Sequence, residues 1–337
     1  MLTINDVSIA GVAATVPPKK INNSDLSAIY GEKETSKLIS SVGVKQRYIA
    51  DDGITSSDLC LDAAINLLGN TGLSVNNIQA LIFVSQTSDY QLPATACILQ
   101  HKLGLPNNTI SFDINLGCSG YVYGLQVASS LINSGINNVL LLVGDTISKI
   151  VQSGDRSTEL LFGDAGTATL LQKKIGEQLH FDLGSDGSGF QHIIAKTPIE
   201  SDSNDMRGKH YSHLEMDGGE VFAFTLKRVP KLVNNFLKEL SVKPEDVDIC
   251  VYHQANHFML KHLSKKSKFT AEQMPISIDQ YGNTSSASIP VTLCSTSSES
   301  YVKTLFVGFG VGLSWGAVFC DLSQTLILPI RELVNGE

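Results

Sequence analysis

One cysteine lies where a thiol could act as a nucleophile. Cys118 stands in the stretch DINLGCSGYVYGL, between Gly117 and Gly120, after an apolar strand-like run and before a segment with helical spacing. A thiol at a helix N-terminus can be a nucleophile, because the helix dipole favours its thiolate form. A buried cysteine is more often a small inert hydrophobe. The position of Cys118 therefore leaves a catalytic thiol and a core thiol both open.

A histidine and an asparagine far along the chain could complete a catalytic group. His253 ends an apolar strand-like run in YHQAN, and Asn283 lies in YGNTSSAS, a loop rich in small residues that lets a chain or ligand approach closely. Cysteine with histidine is a typical nucleophile and base. With six cysteines and eight histidines in the chain, that pairing alone is a weak signal.

An internal repeat would bring these distant residues together. The stretch LSVNNIQALIFVSQ at 73–86 parallels LSVKPEDVDICVYHQ at 240–254, and a helical pattern precedes and follows each. The alternation predicts an α/β fold in which helices cover mixed sheets. We divide the chain into an N-terminal half, 1–174, and a C-terminal half, 175–337. Equivalent loops of two such halves would meet at a central interface, so that Cys118, His253 and Asn283 converge.

Composition and charge exclude several classes of protein. The 337 residues are 42% hydrophobic and 17% charged, and the net charge of -8 disfavours nucleic-acid binding. No apolar run approaches the ~20 residues of a membrane span. The first residues, MLTINDVSIAGVAATVP, lack a basic region and predict a strand rather than a signal peptide.

The cysteines indicate neither a disulfide framework nor a metal site. They form no CxxC pair and no Cys/His cluster with metal-ligand spacing. This usage is typical of a reducing cytoplasm. Apart from Cys118, we expect the cysteines to be core thiols: Cys60, Cys97, Cys250, Cys294 and Cys320.

Five blocks of the sequence, taken in order, resemble one known family. GCSGYVYGL, LFGDAGTATLL, HQAN, YGNTSSASIP and GFGVGLSWG resemble the signature blocks of β-ketoacyl-acyl carrier protein synthase III and its thiolase-fold relatives. The resemblance extends from about residue 4 to residue 322. It implies an acyltransferase with a thiolase-like fold, in which two pseudo-symmetric halves form five layers, αβαβα.

The resemblance also implies a two-stage reaction. Cys118 would take an acyl group from a thioester, and a malonyl thioester would then lose carbon dioxide and attack that acyl group. His253 and Asn283 would donate hydrogen bonds to the enolate oxygen. The backbone N–H groups of Cys118 and Val311 would hold the oxyanion of the acyl thioester.

Partners and substrate contacts follow from the same resemblance. It implies a homodimer in which Leu92 reaches the partner's acyl pocket, and an acyl carrier protein as a further partner. The substrates would be carried on coenzyme A or phosphopantetheine, and no further cofactor, metal or nucleic acid would be needed. The expected substrate-binding residues are Leu92, Arg156, Phe222, Asn256 and Phe309.

Departures from the family pattern favour a specialised fatty-acid or secondary-metabolite enzyme over a housekeeping one. Lys37 replaces a tryptophan that commonly clamps adenine with an arginine, here Arg156. Phe258 replaces a basic residue that helps to bind the carrier protein, and Leu92 replaces an aromatic wall of the acyl pocket, which would widen it. One alternative is an acyltransferase that passes the Cys118-bound acyl group to an alcohol or amine. Another is a carrier-binding protein without catalysis, against which the intact catalytic residues argue.

Two further motifs have a structural and a functional interpretation. The basic stretches LKRVPK and KHLSKKSK are either solvated helix faces or a docking surface for an acidic carrier. The docking residues would be Lys227, Arg228, Lys261, Lys265 and Lys266. The stretch FGDAGTA lacks the spacing of a nucleotide loop and predicts a close-packed turn near the site.

Overall fold

The computed structural model describes residues 1–155, 158–196, 213–296 and 300–334. The strands of this part of the chain are β1 (Leu2–Val16), β2 (Lys20–Asn22), β3 (Gln46–Tyr48), β4 (Ala80–Val84), β5 (Ile110–Ile114), β6 (Asn138–Asp145), β7 (Ala165–Ser185), β8 (Ile193–Ile194), β9 (Glu215–Met216), β10 (Ile249–Tyr252), β11 (Thr304–Gly310), β12 (Ser314–Cys320), β13 (Leu326–Ile327) and β14 (Arg331–Glu332). The helices are α1 (Ser27–Tyr30), α2 (Glu32–Val42), α3 (Ser56–Thr71), α4 (Thr95–Lys102), α5 (Gly120–Asn133), α6 (Gly218–Glu239), α7 (His257–Ser267), α8 (Ile278–Tyr281) and α9 (Ser288–Cys294).

Local sequence accounts for the main elements. Helix α3 begins at the N-cap Thr55, which forms a capping box with Asp58, and it ends at Gly72, whose φ of 68° is left-handed. All five residues of β4 are buried. A continuous apolar strand of this kind is covered on both faces, which requires helices on either side of the sheet. β1 confirms the strand predicted at the start of the chain.

The two halves repeat the same strand pairing. β4 is parallel to β6, β6 is antiparallel to the first part of β7, and that part of β7 is antiparallel to β1. β10 is likewise parallel to β11, β11 is antiparallel to β12, and β12 is antiparallel to the second part of β7. The second part of β7 therefore occupies the position in the second half that β1 occupies in the first half. The division that we placed between residues 174 and 175 lies inside β7.

Helices and sheets form five layers. α5 and α9 lie in the centre, in one hydrophobic core with inward residues of both halves. α3 and α4 cover the outer face of the first half in a second core, and α6 and α7 cover that of the second half in a third. This is the predicted αβαβα arrangement. It places the N-terminus of α5, and the loop that leads into α9, at the centre of the molecule.

The prediction for the cysteines is wrong at one position. All six are free thiols, and Cys60, Cys250, Cys294 and Cys320 are buried as expected. Cys97 is exposed instead. It is the third residue of the short helix α4, whose buried side is formed by Thr95, Ala96 and Leu99. An apolar residue on the other side of so short a helix faces solvent.

The described residues include no candidate membrane span and no candidate metal centre. None of their helices is long and apolar enough to span a membrane. Among these residues no group of three or more histidine, cysteine, aspartate and glutamate side chains could hold a metal ion.

The glycine-rich turn of the first half packs closely against the second half, as the sequence predicts. The Gly163 N–H donates to the Asn283 carbonyl at 3.1 Å, and the Asn283 N–H donates to the Leu161 carbonyl at 2.8 Å. A Cβ atom on Gly163 would lie 2.1 Å from the backbone oxygen of Tyr281. Only glycine allows these two backbone segments to approach this closely.

We expect Gly163→Ala to lower the free energy of unfolding by about 1–3 kcal/mol, because backbone rather than a flexible side chain must move. Gly69→Ala is the matched control, since Gly69 lies within α3 with open space around its Cα. That variant should be neutral or stabilised by up to about 1 kcal/mol. Urea unfolding measures both, and equal midpoints for the two variants would contradict the close packing.

Candidate active site

Cys118 lies in the turn between β5 and α5, two residues before the helix begins. The Ser119 hydroxyl contacts the Ser314 hydroxyl at 2.7 Å, and the Ser314 hydroxyl donates to the Val311 carbonyl at 2.7 Å. Because Ser314 uses its own hydrogen on Val311, Ser119 is the donor to Ser314. This chain of hydrogen bonds ties the Cys118 turn to the β11–β12 loop of the second half.

The groups around the Cys118 sulfur have opposing effects on the pKa of its thiol. The backbone N–H groups of Val311 and Cys118 and the Ser285 hydroxyl lower the pKa of the thiol, whereas burial and the charge of Asp145 raise it. Loss of hydration is the largest effect and raises the pKa of Cys118 to about 12. The free protein therefore holds a protonated thiol, although the sequence interpretation emphasised the stabilisation of a thiolate by the helix terminus.

Both expected oxyanion donors lie beside this sulfur. The N–H groups of Cys118 and Val311 interact with it from the first and the second half of the chain. The glycine next to Val311 makes this approach possible, since a Cβ atom on Gly310 would lie 2.7 Å from the Cys118 Cβ and 2.9 Å from its sulfur. The φ of Gly310 is 153°, which also favours glycine.

His253 is a neutral histidine with a defined orientation. It is 2% exposed, and burial lowers its pKa to about 3. Its Nδ1 lies 2.6 Å from the hydroxyl of Ser288, which itself accepts from the Gln254 N–H at 3.4 Å. In the tautomer that carries the imidazole hydrogen on Nε2, Nδ1 accepts from this hydroxyl. The edge-on ring of Phe309, 5.4 Å away between centroids, supports the imidazole.

Asn283 is held with its amide hydrogens available. It is 5% exposed, and its Oδ1 accepts from the Ser285 N–H at 3.0 Å. Its Nδ2 lies 3.5 Å from the Ala255 carbonyl, at the limit of hydrogen bonding. An amide oriented in this way can donate to a ligand oxygen. The geometry of His253 and Asn283 thus provides two neutral donors.

Ser285 connects all three residues, and sequence reasoning missed it. Its hydroxyl interacts with Cys118, its N–H with the Asn283 side chain, and its backbone stabilises the protonated form of His253. It is 3% exposed and adopts a left-handed φ of 51°, which is uncommon for serine. The small-residue loop was the only signal of this in the sequence. Asp145, which influences Cys118, was missed as well.

The structure places the expected substrate-binding residues in different surroundings. Phe309 is 1% exposed, whereas Leu92 is 79% exposed in the loop between β4 and α4. Asn256 is the N-cap of α7 and accepts from the Met259 N–H at 2.7 Å. Their contacts with substrate stay predictions. Arg156 lies outside the described residues.

The positions that depart from the family pattern lie at the surface. Phe258 is 53% exposed, and its ring stacks on half-buried Phe222 with centroids 5.4 Å apart. Lys37 is exposed on α2. The basic residues proposed for docking are also exposed, on α6 and α7: Lys227, Arg228, Lys261, Lys265 and Lys266.

We expect Gly310→Ala to lower the rate of Cys118 acylation by at least about tenfold, because a methyl group would occupy the space beside the sulfur. Gly187→Ala is the control, since Gly187 has no neighbour within 4 Å. Intact mass after exposure to an acyl thioester measures the loading. Equal loading of the two variants would mean that the Gly310 contact does not limit access to the thiol.

Comparisons with known proteins cover nearly the whole chain. Residues 112–187 match the family 3-Oxoacyl-[acyl-carrier-protein (ACP)] synthase III, and residues 237–322 match its C-terminal family. A β-ketoacyl-[acyl-carrier-protein] synthase III of Clostridium kluyveri is 35% identical over 329 residues, covering 95% of this chain and 100% of that protein. Its counterpart in Clostridium tetani is 34% identical over 330 residues, covering 93% and 97%.

A solved structure shows the same fold. The 3-oxoacyl-(acyl-carrier protein) synthase of Burkholderia xenovorans LB400 superposes with a TM-score of 0.92 at 41% identity, covering 98% of each chain. The priming β-ketosynthase of the R1128 polyketide pathway has a TM-score of 0.85 at 23% identity, covers 97% of each chain, and supports the fold alone. The chain belongs to the 3-oxoacyl-[acyl-carrier-protein] synthase III family of condensing enzymes.

Proposed function

We propose that this protein joins an acyl group to a malonyl thioester by decarboxylative Claisen condensation, with Cys118 as the acyl carrier. One observation carries the proposal: Cys118, His253 and Asn283 lie around the end of β11 and the loop after β10. A Cβ atom on Gly310 would lie 2.9 Å from the Cys118 sulfur, the neighbouring Phe309 ring lies 5.4 Å from the His253 ring between centroids, and the Asn283 Nδ2 lies 3.5 Å from the carbonyl of Ala255, two residues after His253. A nucleophile and two neutral donors beside one another suit a reaction that builds negative charge on a carbonyl oxygen.

Acyl transfer is the first stage. The Cys118 sulfur attacks the acyl carbon, the bond to the carrier sulfur breaks, and the thiol proton leaves with the departing carrier thiol. The N–H groups of Cys118 and Val311 hold the oxyanion of the tetrahedral intermediate. The Cys118 N–H lies just before the N-terminus of α5, where backbone N–H groups lack internal partners, and the Val311 N–H comes from the β11–β12 loop.

Condensation is the second stage. The malonyl carboxylate leaves as carbon dioxide, and its bonding electrons form an enolate whose oxygen accepts from His253 and Asn283. The enolate carbon attacks the acyl carbon and displaces the Cys118 thiolate, which then takes a proton from solvent. Because burial keeps the pKa of His253 at about 3, the ring stays neutral and serves as a donor at neutral pH. The step requires no further cofactor.

We also propose a specialised role in fatty-acid or secondary metabolism. Leu92 in place of an aromatic wall supports a longer or branched acyl group, and Lys37 in place of tryptophan supports a carrier other than coenzyme A. The exposed basic residues of α6 and α7 would attract an acidic acyl carrier protein. Six free cysteines support a cytoplasmic location.

The decisive measurement is release of labelled carbon dioxide from a malonyl thioester by acyl-loaded protein. We expect His253→Ala and Asn283→Ala to slow release by about 10²-fold or more each, since each removes one donor to the enolate. Loading of Cys118 should fall less, because backbone groups hold its oxyanion. Cys118→Ser should fold normally and form no thioester.

His180→Ala is a matched control. His180 is a half-buried histidine on β7, 2.9 Å from the Thr3 hydroxyl and outside the proposed site. It should release carbon dioxide at the rate of the unaltered protein. If the unaltered protein released none but passed its acyl group to an alcohol or amine, the alternative acyltransferase would replace the condensing enzyme.

We further propose a homodimer joined along β5. Among the described residues β5 pairs only with β4, so that its other edge is open. The Ile110 N–H donates to the Gln79 carbonyl on the β4 side, and the next N–H, of Ser111, therefore points outward. Exposed Leu92 would then enter the partner's acyl pocket.

Light scattering at micromolar concentration should give twice the chain mass, and Ser111→Pro should give the mass of one chain. Proline removes the outward N–H but is tolerated on an edge strand, so the fold should persist by circular dichroism. A monomeric unaltered protein would refute the dimer. A dimeric Ser111→Pro variant would place the interface elsewhere.

A further inference from the structure

One buried carboxylate joins the two halves of the chain next to the catalytic loop. Asp145 is the last residue of β6 and is 0% exposed. Its Oδ1 accepts from the Gln86 N–H at 2.7 Å and from the hydroxyls of Ser85 and Thr87 at 3.1 and 3.2 Å. Its Oδ2 accepts from Ser286, at 3.2 Å from the backbone N–H and 2.6 Å from the hydroxyl.

Every one of these partners donates, which is the pattern of an ionised carboxylate. The Ser85 hydroxyl accepts from the Thr87 N–H at 3.0 Å, and the Thr87 hydroxyl accepts from the Thr146 N–H at 2.9 Å. Both hydroxyls therefore have their own hydrogen left for Asp145. Burial raises the pKa of Asp145, and its hydrogen bonds oppose that effect.

The same peptide unit that binds Asp145 also meets the catalytic histidine. The N–H of Ser286 and the carbonyl of Ser285 belong to one planar peptide, and they point in opposite directions. The N–H donates to Asp145, and the Ser285 backbone lies beside His253. The N–H of Ser285 holds the Asn283 amide at 3.0 Å, and its hydroxyl interacts with both Cys118 and Asp145.

We propose that Asp145 is a positioning residue for condensation, which clamps the Ser85–Thr87 turn of the first half to the Ser285–Ser286 peptide of the second and so holds His253 and Asn283 in place against Cys118. The assignment rests on the proposed function, since the two donors matter in this way only if they serve a malonyl enolate. Asp145 itself does not touch the reacting atoms.

The isosteric variant Asp145→Asn breaks one specific part of this clamp. The backbone N–H groups of Gln86 and Ser286 bind different oxygens of the carboxylate. An amide has only one oxygen, so one of these two buried N–H groups loses its acceptor and faces an NH₂ group. The Ser285–Ser286 peptide or the Gln86 turn must then shift, although the volume of the side chain is nearly unchanged.

Two half-reactions separate a positioning role from a merely structural one. In Asp145→Asn we expect carbon dioxide release to fall by at least about tenfold, while acylation of Cys118 falls less, because one misplaced donor affects mainly the enolate. Release at the unaltered rate would overturn the proposal. An equal fall of both half-reactions would also overturn it, since a general loss of structure lowers both together.

Alkylation of Cys118 gives a readout that needs no turnover. Asp145 is the charged group that acts on this thiol, together with the Ser285 hydroxyl and the N–H groups of Val311 and Cys118. Its negative charge opposes the thiolate, so its removal lowers the pKa of Cys118 and moves the alkylation profile to lower pH. We expect iodoacetamide to react at least about threefold faster at pH 8.5 with Asp145→Asn, in a Cys97→Ser background that removes the exposed thiol. An unchanged pH profile of Cys118 alkylation would contradict the effect of the Asp145 charge on this thiol.

Two further variants keep the test decisive. Ser286→Ala removes the hydroxyl contact but keeps the backbone bond to Asp145, so it should fold and show a smaller fall in carbon dioxide release, and an unaltered rate would contradict the clamp. Asp164→Asn is the matched control: Asp164 is 0% exposed and binds the Ala50 and Ser148 N–H groups at 2.8 and 3.0 Å. The Asp164→Asn variant should keep the pH profile of Cys118 alkylation of the unaltered protein. A shift of that profile equal to the one in Asp145→Asn would overturn the assignment to Asp145.

If the unaltered protein released no carbon dioxide, the proposed function would fail. If the unaltered protein released carbon dioxide and the Asp145→Asn variant released it at the same rate, only the positioning role of Asp145 would fail.

Discussion

Close backbone contact between the two halves of the chain holds the proposed catalytic residues together. The loop before α9 hydrogen-bonds through Asn283 to the glycine-rich turn at Leu161 and Gly163. Asp145 binds the same loop at Ser286. At Gly163 and Gly310 the backbone of one half lies closer to the other half than a Cβ atom would permit. Because each half contributes part of the site, the site exists only when the interface between the halves is formed.

Burial at this interface determines the charge of the reacting groups. It raises the pKa of Cys118 and lowers the pKa of His253, so that both are neutral in the free protein at neutral pH. In the proposed condensation a neutral histidine donates without carrying charge, which suits an enolate better than proton shuttling does. Fixed donors in a site with little water also stabilise developing charge more strongly than water would, because they need not reorganise.

The duplicated architecture explains why the site is asymmetric. Equivalent turns of the two halves carry Cys118 in one and Asn283 in the other, and the helices that follow, α5 and α9, both contribute to the central core. The α5 turn provides backbone donors near a thiol, whereas the α9 loop provides an amide and supports the histidine through Ser288. Equivalent positions of the two halves thus carry different side chains, for which we propose different chemical roles.

Much of the fold followed from periodicity and repetition in the sequence. Alternating strand and helix patterns determined the α/β class, because side-chain burial has period 2 in strands and about 3.6 in helices. The ordered blocks around Cys118, His253 and Asn283 indicated the family and the candidate site. The exposure of Cys97 was not predictable, since composition does not tell which side of a short helix meets solvent.

Only the tertiary structure decided how these residues act on one another. Ser285 and Asp145 carry no distinctive local signal, being one serine among several and the last residue of an apolar strand. Their importance comes from contacts between residues more than 130 positions apart, such as that from Asp145 to Ser286. The raised pKa of Cys118 and the lowered pKa of His253 likewise depend on burial among segments from both halves. Local sequence determines which elements form and which side chains are available, whereas hydration and orientation depend on the packing of distant segments and therefore belong to the folded chain.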